Sequence, residues 1–197
     1  MVFASLLRKI LVPAGRSGTL DLVDPDTKQV TAISGFSSRG SLAGGHGQGV
    51  TSVDEGRGLL FATDRDARQL DVVDPKTRSV IATARLASGP DYVRYVSTTD
   101  EVWVTEPRAA RIEIFSLPQS GAPRPAHLTF ISISSGPESL TIDNARGRAY
   151  THLWADTTLA INLKSHEVSA RWENGCRHSR GIAMDPARGH LFVGCAE

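Results

Sequence analysis

The chain has 197 residues, 40% of them hydrophobic and 22% charged, which is length and apolar content enough to bury a core and excludes a disordered chain. The formal net charge is +1 with arginine spread along the whole length, so neither nucleic acid nor an anionic membrane surface has an electrostatic case as the main partner. Two cysteines, Cys176 and Cys195, exclude a multi-disulfide scaffold and leave one bridge or two free thiols.

The opening "MVFASLLRKILVPAG" places Arg8 and Lys9 after a short apolar run, the reverse of a signal peptide's order, and no small-residue cleavage site follows. No export signal is expected, and no run of eighteen apolar residues occurs that would give a helical membrane span. Residues 1–9 read as an N-terminal segment, with the first strand at Ile10–Pro13. "GTLDLVDPDTKQVTAI" (18–33) then reads as two strands joined by Asp24-Pro25-Asp26-Thr27. A Gly- and Ser-rich insertion, "SGFSSRGSLAGGHGQG" (34–49), reads as a surface loop; its glycines lack the spacing of a phosphate-binding loop.

The next stretch supplies a complete unit. "GVTSV" leads through an Asp-x-x-Arg-Gly turn to "LLFAT", a polar loop leads to "QLDVV", and Asp74-Pro75-Lys76-Thr77 turns the chain into "SVIAT". Alternation and β-branched content fit half-buried strands, here called a, b, c and d. The proline presets φ at the second turn position and the aspartate carboxylate can accept an N–H two residues on, so Asp-Pro-x-Thr reads as a turn and not as a ligand site. A degenerate copy follows in "DYVRYVSTTDEVWVTE" (91–106) and "ARIEIFSLPQSG" (110–121), with Ser116 at the Asp74 position. A further copy spans "ESLTIDNARGRAYTHL" (138–153) and "TTLAINLKSHEV" (157–168), with Asn162 at that position, and "RGIAMDPARGHLFVGC" (180–195) stops after its second strand.

Taking the aromatic residue of strand b as anchor gives Phe61, Trp103, Tyr150 and Phe192, spaced by 42, 47 and 42 residues. That interval is the roughly 40–50 residues of a four-stranded propeller blade. The reading is all-β: a β-propeller of four-stranded antiparallel blades, with about four blades present. The domain covers 10–197, with repeats at about 10–48, 49–89, 90–136 and 137–179 and a half repeat at 180–197.

These units resemble the YVTN family of propeller repeats found in YncE-like proteins, and the resemblance covers nearly the whole chain. It rests on the flank "GQGVTSVDEGRGLLFAT" (47–63) and on "LDVVDPKTRSVIAT". The family usually closes seven blades, so the resemblance implies an arc of a longer ring, with open blade edges through which the chain would belong to a larger protein or self-associate. It also implies a periplasmic or extracellular protein.

In such a fold strand a lines the channel, and the d-to-a and b-to-c loops share one face. Mapped onto this chain, that face collects His46, Arg65, Glu106, His152, Arg177 and His178 as ligand-binding candidates. Histidine can ligate a metal, move a proton near neutral pH or hold an anion, while solvated loop residues without function are the plainer reading. Cys176 and Cys195 are within reach of a bridge if the last two strands pair, which would agree with an oxidising compartment. The competing zinc set of Cys176, His178, His190 and Cys195 matches no standard spacing, and neither a metal nor a cofactor is expected.

No catalytic signature appears, and no acid-base pair is seen to recur in a fixed geometry. The expectation is a binding or interaction scaffold for a small molecule or protein ligand, more a binder than an enzyme. Lactone hydrolases and quinoprotein dehydrogenases on similar propellers give the alternative, with His46, Glu106, His152 and His178 as acid-base or metal-binding groups.

Overall fold

The computed structural model describes residues 1–38 and 49–196. Among these residues eighteen strands form four four-stranded antiparallel sheets, each a propeller blade with its strands in sequence order, and one two-stranded sheet, a half blade. Blade 1 holds β1 (Val2–Ala4), β2 (Lys9–Ala14), β3 (Thr19–Val23) and β4 (Val30–Ser34). Blade 2 holds β5 (Val50–Gly56), β6 (Leu59–Asp64), β7 (Gln69–Asp74) and β8 (Ser79–Arg85). Blade 3 holds β9 (Val93–Val96), β10 (Glu101–Glu106), β11 (Arg111–Ser116) and β12 (Ala126–Ser132). Blade 4 holds β13 (Thr141–Asp143), β14 (Arg148–His152), β15 (Thr157–Asn162) and β16 (Val168–Glu173), and the half blade holds β17 (Ser179–Asp185) and β18 (His190–Cys195).

One strand lies ahead of the domain as read from the sequence. Residues 1–9, read as a segment ahead of the domain, contain β1, which pairs with β2 through Val2 and Leu11 and completes blade 1 with an inner strand. No sequence cue marks it, because the turn at Ser5–Arg8 lacks the Asp-x-x-Arg-Gly pattern. A distant residue closes that turn instead: the Glu55 carboxylate accepts the Leu6 N–H at 3.0 Å and the Leu7 N–H at 3.1 Å.

The c-to-d turns are built as their residue types dictate. Asp24 Oδ1 accepts the N–H groups of Asp26 and Thr27 at 2.9 and 2.8 Å, Asp74 Oδ1 accepts that of Lys76 at 2.8 Å, and Asn162 Oδ1 accepts those of Lys164 and Ser165 at 2.8 and 3.0 Å. In each turn the fourth residue after the cap, Lys28, Arg78 or His166, takes a left-handed backbone and donates its N–H to the capping residue's carbonyl. These turns lie at the face opposite the b-to-c loops and are occupied by their own hydrogen bonds.

The core lies between blades. Phe61 and Leu70 pack with Val93, Val102, Val104 and Phe115 between blades 2 and 3, and Trp103 packs with Leu140, Ala149 and Ile161 between blades 3 and 4. The anchor aromatics at the shared position face the next blade: Phe61 and Trp103 are fully buried, while Phe192 on the half blade is 57% exposed. Inner strands of successive blades also contact one another. Tyr95 N–H donates to Asp54 Oδ2 at 2.8 Å and Val93 N–H to Ser52 Oγ at 3.2 Å, so inner-strand side chains of blade 2 satisfy inner-strand amides of blade 3.

Candidate functional site

A cavity of about 650 Å³ opens at the channel mouth, lined by Pro13 and Arg16 of blade 1, Thr51 and Arg65 of blade 2, Tyr92 and Arg94 of blade 3 and Ile182 of the half blade, among others. Inner strands supply Thr51, Arg94 and Ile182, and the loops supply Arg16, Arg65 and Tyr92. The floor is fixed by hydrogen bonds between strands: Thr51 Oγ1 lies 3.2 Å from Thr63 Oγ1, and Tyr92 N–H donates to Thr105 Oγ1 at 2.9 Å.

Of the six candidates read from the sequence, Arg65 alone lines this cavity among the described residues. Its Nε donates to the Pro90 carbonyl at 2.9 Å and its Nη2 is ion-paired with Asp91, which aligns the guanidinium with the wall. His46 lies outside the described residues, as does most of the insertion that carries it. Arg177 and His178 are exposed on the loop after Cys176; the His178 carbonyl accepts the Ala196 N–H at 3.2 Å.

Glu106 and His152 sit on the predicted face but are fully buried, at the same strand-b terminus as Asp64. Glu106 accepts the Ser88 N–H and the Arg111 Nε–H, both at 2.6 Å. Asp64 likewise accepts the Ser37 N–H at 2.6 Å, so in blades 2 and 3 an acid at this position fastens the loop that enters its own blade. His152 places Nδ1 2.8 Å from Thr158 Oγ1 and Nε2 3.1 Å from the Gly181 carbonyl. Burial pushes its pKa down, which keeps the imidazole neutral with Nε2–H directed at that carbonyl. The position thus fastens blade 4 to the half blade.

The expectation that no acid-base pair recurs is overturned. Asp71 and Glu113 stand seven residues after Asp64 and Glu106, at matching register on β7 and β11, opposite Ala62 and Val104. Both are buried. Burial and then the Asp64 charge push Asp71 up to about 7; burial, and a hydrogen bond and charge from Glu106, push Glu113 up to about 7. Glu113 also accepts the Ala87 N–H at 3.0 Å and lies 3.1 Å from His127 Nδ1. The acid-x6-acid spacing was there to be read, but it belongs to blade interiors and does not reach the channel.

The residues missed by sequence reasoning are Tyr92 and Arg94. Arg94 lies on inner strand β9, which a search confined to loops passes over, and Tyr92 ends the d-to-a loop just before that strand. Cys176 and Cys195 are joined in a disulfide with a Cα–Cα distance of 6.2 Å, and Cys195 lies opposite Ser179 in the register of β17 and β18.

No protein-family model matches the chain, and no curated protein matches it. Solved structures do. The β-propeller domain of Cps50 (Swd1) from Myceliophteria thermophila superposes with a TM-score of 0.73 at 13% identity, covering 96% of this chain and 64% of that one. A putative 6-phosphogluconolactonase from Bacteroides uniformis gives 0.72 at 13% identity, covering 98% of this chain and 62% of that one. Hydrazine synthase of Kuenenia stuttgartiensis gives 0.68 at 13% identity, covering 88% and 47%. At these identities the likeness shows the propeller fold alone, and this chain spans about half to two thirds of each of those chains.

Proposed function

We propose that the protein is a binding propeller of YVTN, YncE-like repeat type that holds a small molecule or a partner's peptide segment at the channel mouth. The observation that carries this reading is the cavity itself: three blades and the half blade converge on it, and its walls are set by hydrogen bonds independent of any ligand. The repeat type is supported by the capped Asp-Pro-x-Thr hairpins of blades 1 and 2. A screen of small molecules and peptides by amide NMR tests the reading. Saturable shifts confined to Thr51, Arg65, Tyr92 and Arg94 are expected, and shifts that spare all four would overturn it.

A lactone hydrolase, or a dehydrogenase of quinoprotein type, is the second reading; the lactonase-named neighbour favours the former. Against it, Glu106 and His152 are spent on internal contacts. Turnover of a lactone panel, with and without added divalent metal, would favour the enzyme.

Two further parts of the proposal follow from surfaces and thiols. On blade 1, Phe3, Ile10, Val23 and Val30 pair in one row across all four strands and face away from blade 2; Phe3 and Val30 are 57% and 58% exposed. Blades 2 to 4 bury the two middle members of the equivalent row, Leu60 and Val73, Val102 and Phe115, and Ala149 and Ile161, against the preceding blade, which supports self-association through this face. Sedimentation velocity checks it: concentration-dependent association is expected, and a monomer at all concentrations would sink it. The disulfide supports a periplasmic or extracellular location, and among the described residues no helix is long and apolar enough to cross a membrane.

A further inference from the structure

Arg94 holds the inner-strand position that Asp54 holds in blade 2 and Thr141 in blade 4; the three face Trp103, Phe61 and Tyr150 across the ladder. It is half-buried, its Nη1 donates to the Val93 carbonyl at 2.6 Å, and its guanidinium carbon lies 5.7 Å from the centre of the Tyr92 ring. Among the described residues, Arg94 forms no ion pair, its Nε and Nη2 meet no protein acceptor, and the Tyr92 hydroxyl makes no hydrogen bond. The other arginines of the cavity differ. Arg65 is neutralised by Asp91, and Arg16 stands exposed at the rim.

An Nε and Nη2 edge presents two parallel N–H groups, the fork that matches the two oxygens of a carboxylate. We propose that the channel mouth binds a small organic monocarboxylate, its two oxygens on Nε and Nη2 of Arg94, with the Tyr92 hydroxyl as a third donor and the ring of Tyr92 against the ligand's apolar body. This inference rests on the reading of the channel mouth as a ligand site.

The charges around Arg94 argue for one negative charge and against two. Asp91 lines the cavity, and Asp54 and Glu138 act electrostatically on Arg94 and Tyr92. In a half-enclosed site their repulsion of a phosphate dianion is about twice that of a carboxylate, and the attraction is limited: Asp54 partly offsets the Arg94 guanidinium, and burial followed by the Arg94 charge disfavours the charged form of the Met1 amino group that lines the same cavity. Burial, with Asp91 next, pushes the Tyr92 phenol upward, so its hydroxyl remains a donor throughout the neutral range.

Fluorine NMR on the full chain tests the inference, with para-fluorobenzoate as the monoanion, para-fluorobenzamide as its neutral counterpart and para-fluorophenyl phosphate as the dianion. Saturable broadening is expected for the benzoate, with the amide and the phosphate each about tenfold weaker. Arg94→Lys keeps the charge and loses the fork, and weakens the benzoate about tenfold; Arg94→Ala abolishes its binding; Arg78→Ala, in a c-to-d turn on the opposite face, leaves it in place. Circular dichroism of each variant checks the fold. Equal binding of benzoate and benzamide, preference for the phosphate, or unchanged binding in Arg94→Lys would overturn the carboxylate assignment while leaving the channel-mouth reading intact. Silence from all three probes also overturns it, and the peptide and small-molecule screen then decides the broader reading.

Discussion

Asp71 stands 4% exposed on β7 with a carboxyl held up at about 7 by burial and by the charge of Asp64. A carboxylic acid whose folded pKa exceeds its unfolded one binds more protons in the native state across the interval between them. Stability therefore falls as pH rises from about 4 to about 7, and the loss is complete above that. Glu113, also at about 7, adds a slope of the same sign. The urea midpoint is accordingly expected to drop between pH 5 and pH 8, with Asp71 accounting for roughly 1–3 kcal/mol of the lost unfolding free energy. Asp71→Asn removes the buried charge at nearly constant volume and should raise stability at pH 8 by about 1–2 kcal/mol, with a smaller gain or none at pH 5. A wild-type midpoint that rises over this range would contradict the protonated assignment. The same comparison separates Asp71 from Asp64, whose carboxylate accepts two backbone N–H groups, from Ser37 at 2.6 Å and Ala67 at 3.1 Å. Asp64→Asn replaces one of those acceptors with a donor, so it should destabilise at both pH values.

Strand-level packing turns on a few close approaches, and Gly56 is one. It ends β5 with the Tyr95 ring of the next blade over it; a Cβ there would meet ring carbons at 2.2 and 2.3 Å. Tyr95 stacks on Phe61 with centroids 5.6 Å apart and donates its hydroxyl to Asp100 at 2.8 Å, so it is held at both ends. Gly56→Ala must push the ring out of that seat, and a loss of about 2 kcal/mol in a urea titration is expected. A neutral result would mean that the ring is free to move and does not fix the contact between blades 2 and 3. Elements of this kind divide into those the sequence announces and those it does not. The c-to-d hairpins were legible because Asp24, Asp74 and Asn162 cap turns within five residues of themselves, a wholly local interaction. Strand β1 was not, because its turn is closed by Glu55 from another blade. The site was partly legible for the same reason. Loop residues can be sorted by face from the strand order, which found Arg65, but whether a polar residue faces the channel or fastens a loop depends on partners distant in sequence. Glu106 bonds to Ser88 and His152 to Gly181, and no local pattern encodes either contact.

Across the whole molecule burial is uneven, and the half blade lies at its low end. The fully buried apolar side chains stop at Leu163, and between β17 and β18 the apolar residues are exposed or half-buried. What holds this sheet is largely polar. Asp156 Oδ1 accepts the Ser179 N–H at 3.0 Å, His152 Nε2 donates to the Gly181 carbonyl, and Arg146 Nη1 donates to the Pro186 carbonyl at 3.0 Å. Contacts of this type each contribute only about 1 kcal/mol net, so the Cys176–Cys195 disulfide carries a large share. It closes a loop across 19 residues, for which the chain-entropy account gives about 3 kcal/mol. Because that loop contains the half blade and no other sheet, the effect of cutting it should be local. Reduction, or the Cys176→Ser/Cys195→Ser double variant, is expected to speed amide hydrogen exchange across 179–195 while β6, β10 and β14 keep their protection. Ile182 also lines the cavity, so the same reduction should weaken any ligand held at the channel mouth, whereas the inner wall formed by Thr51 and Arg94 stays in place. Loss of protection spread evenly over all blades would show instead that the blades unfold as one unit and that the disulfide stabilises all of them.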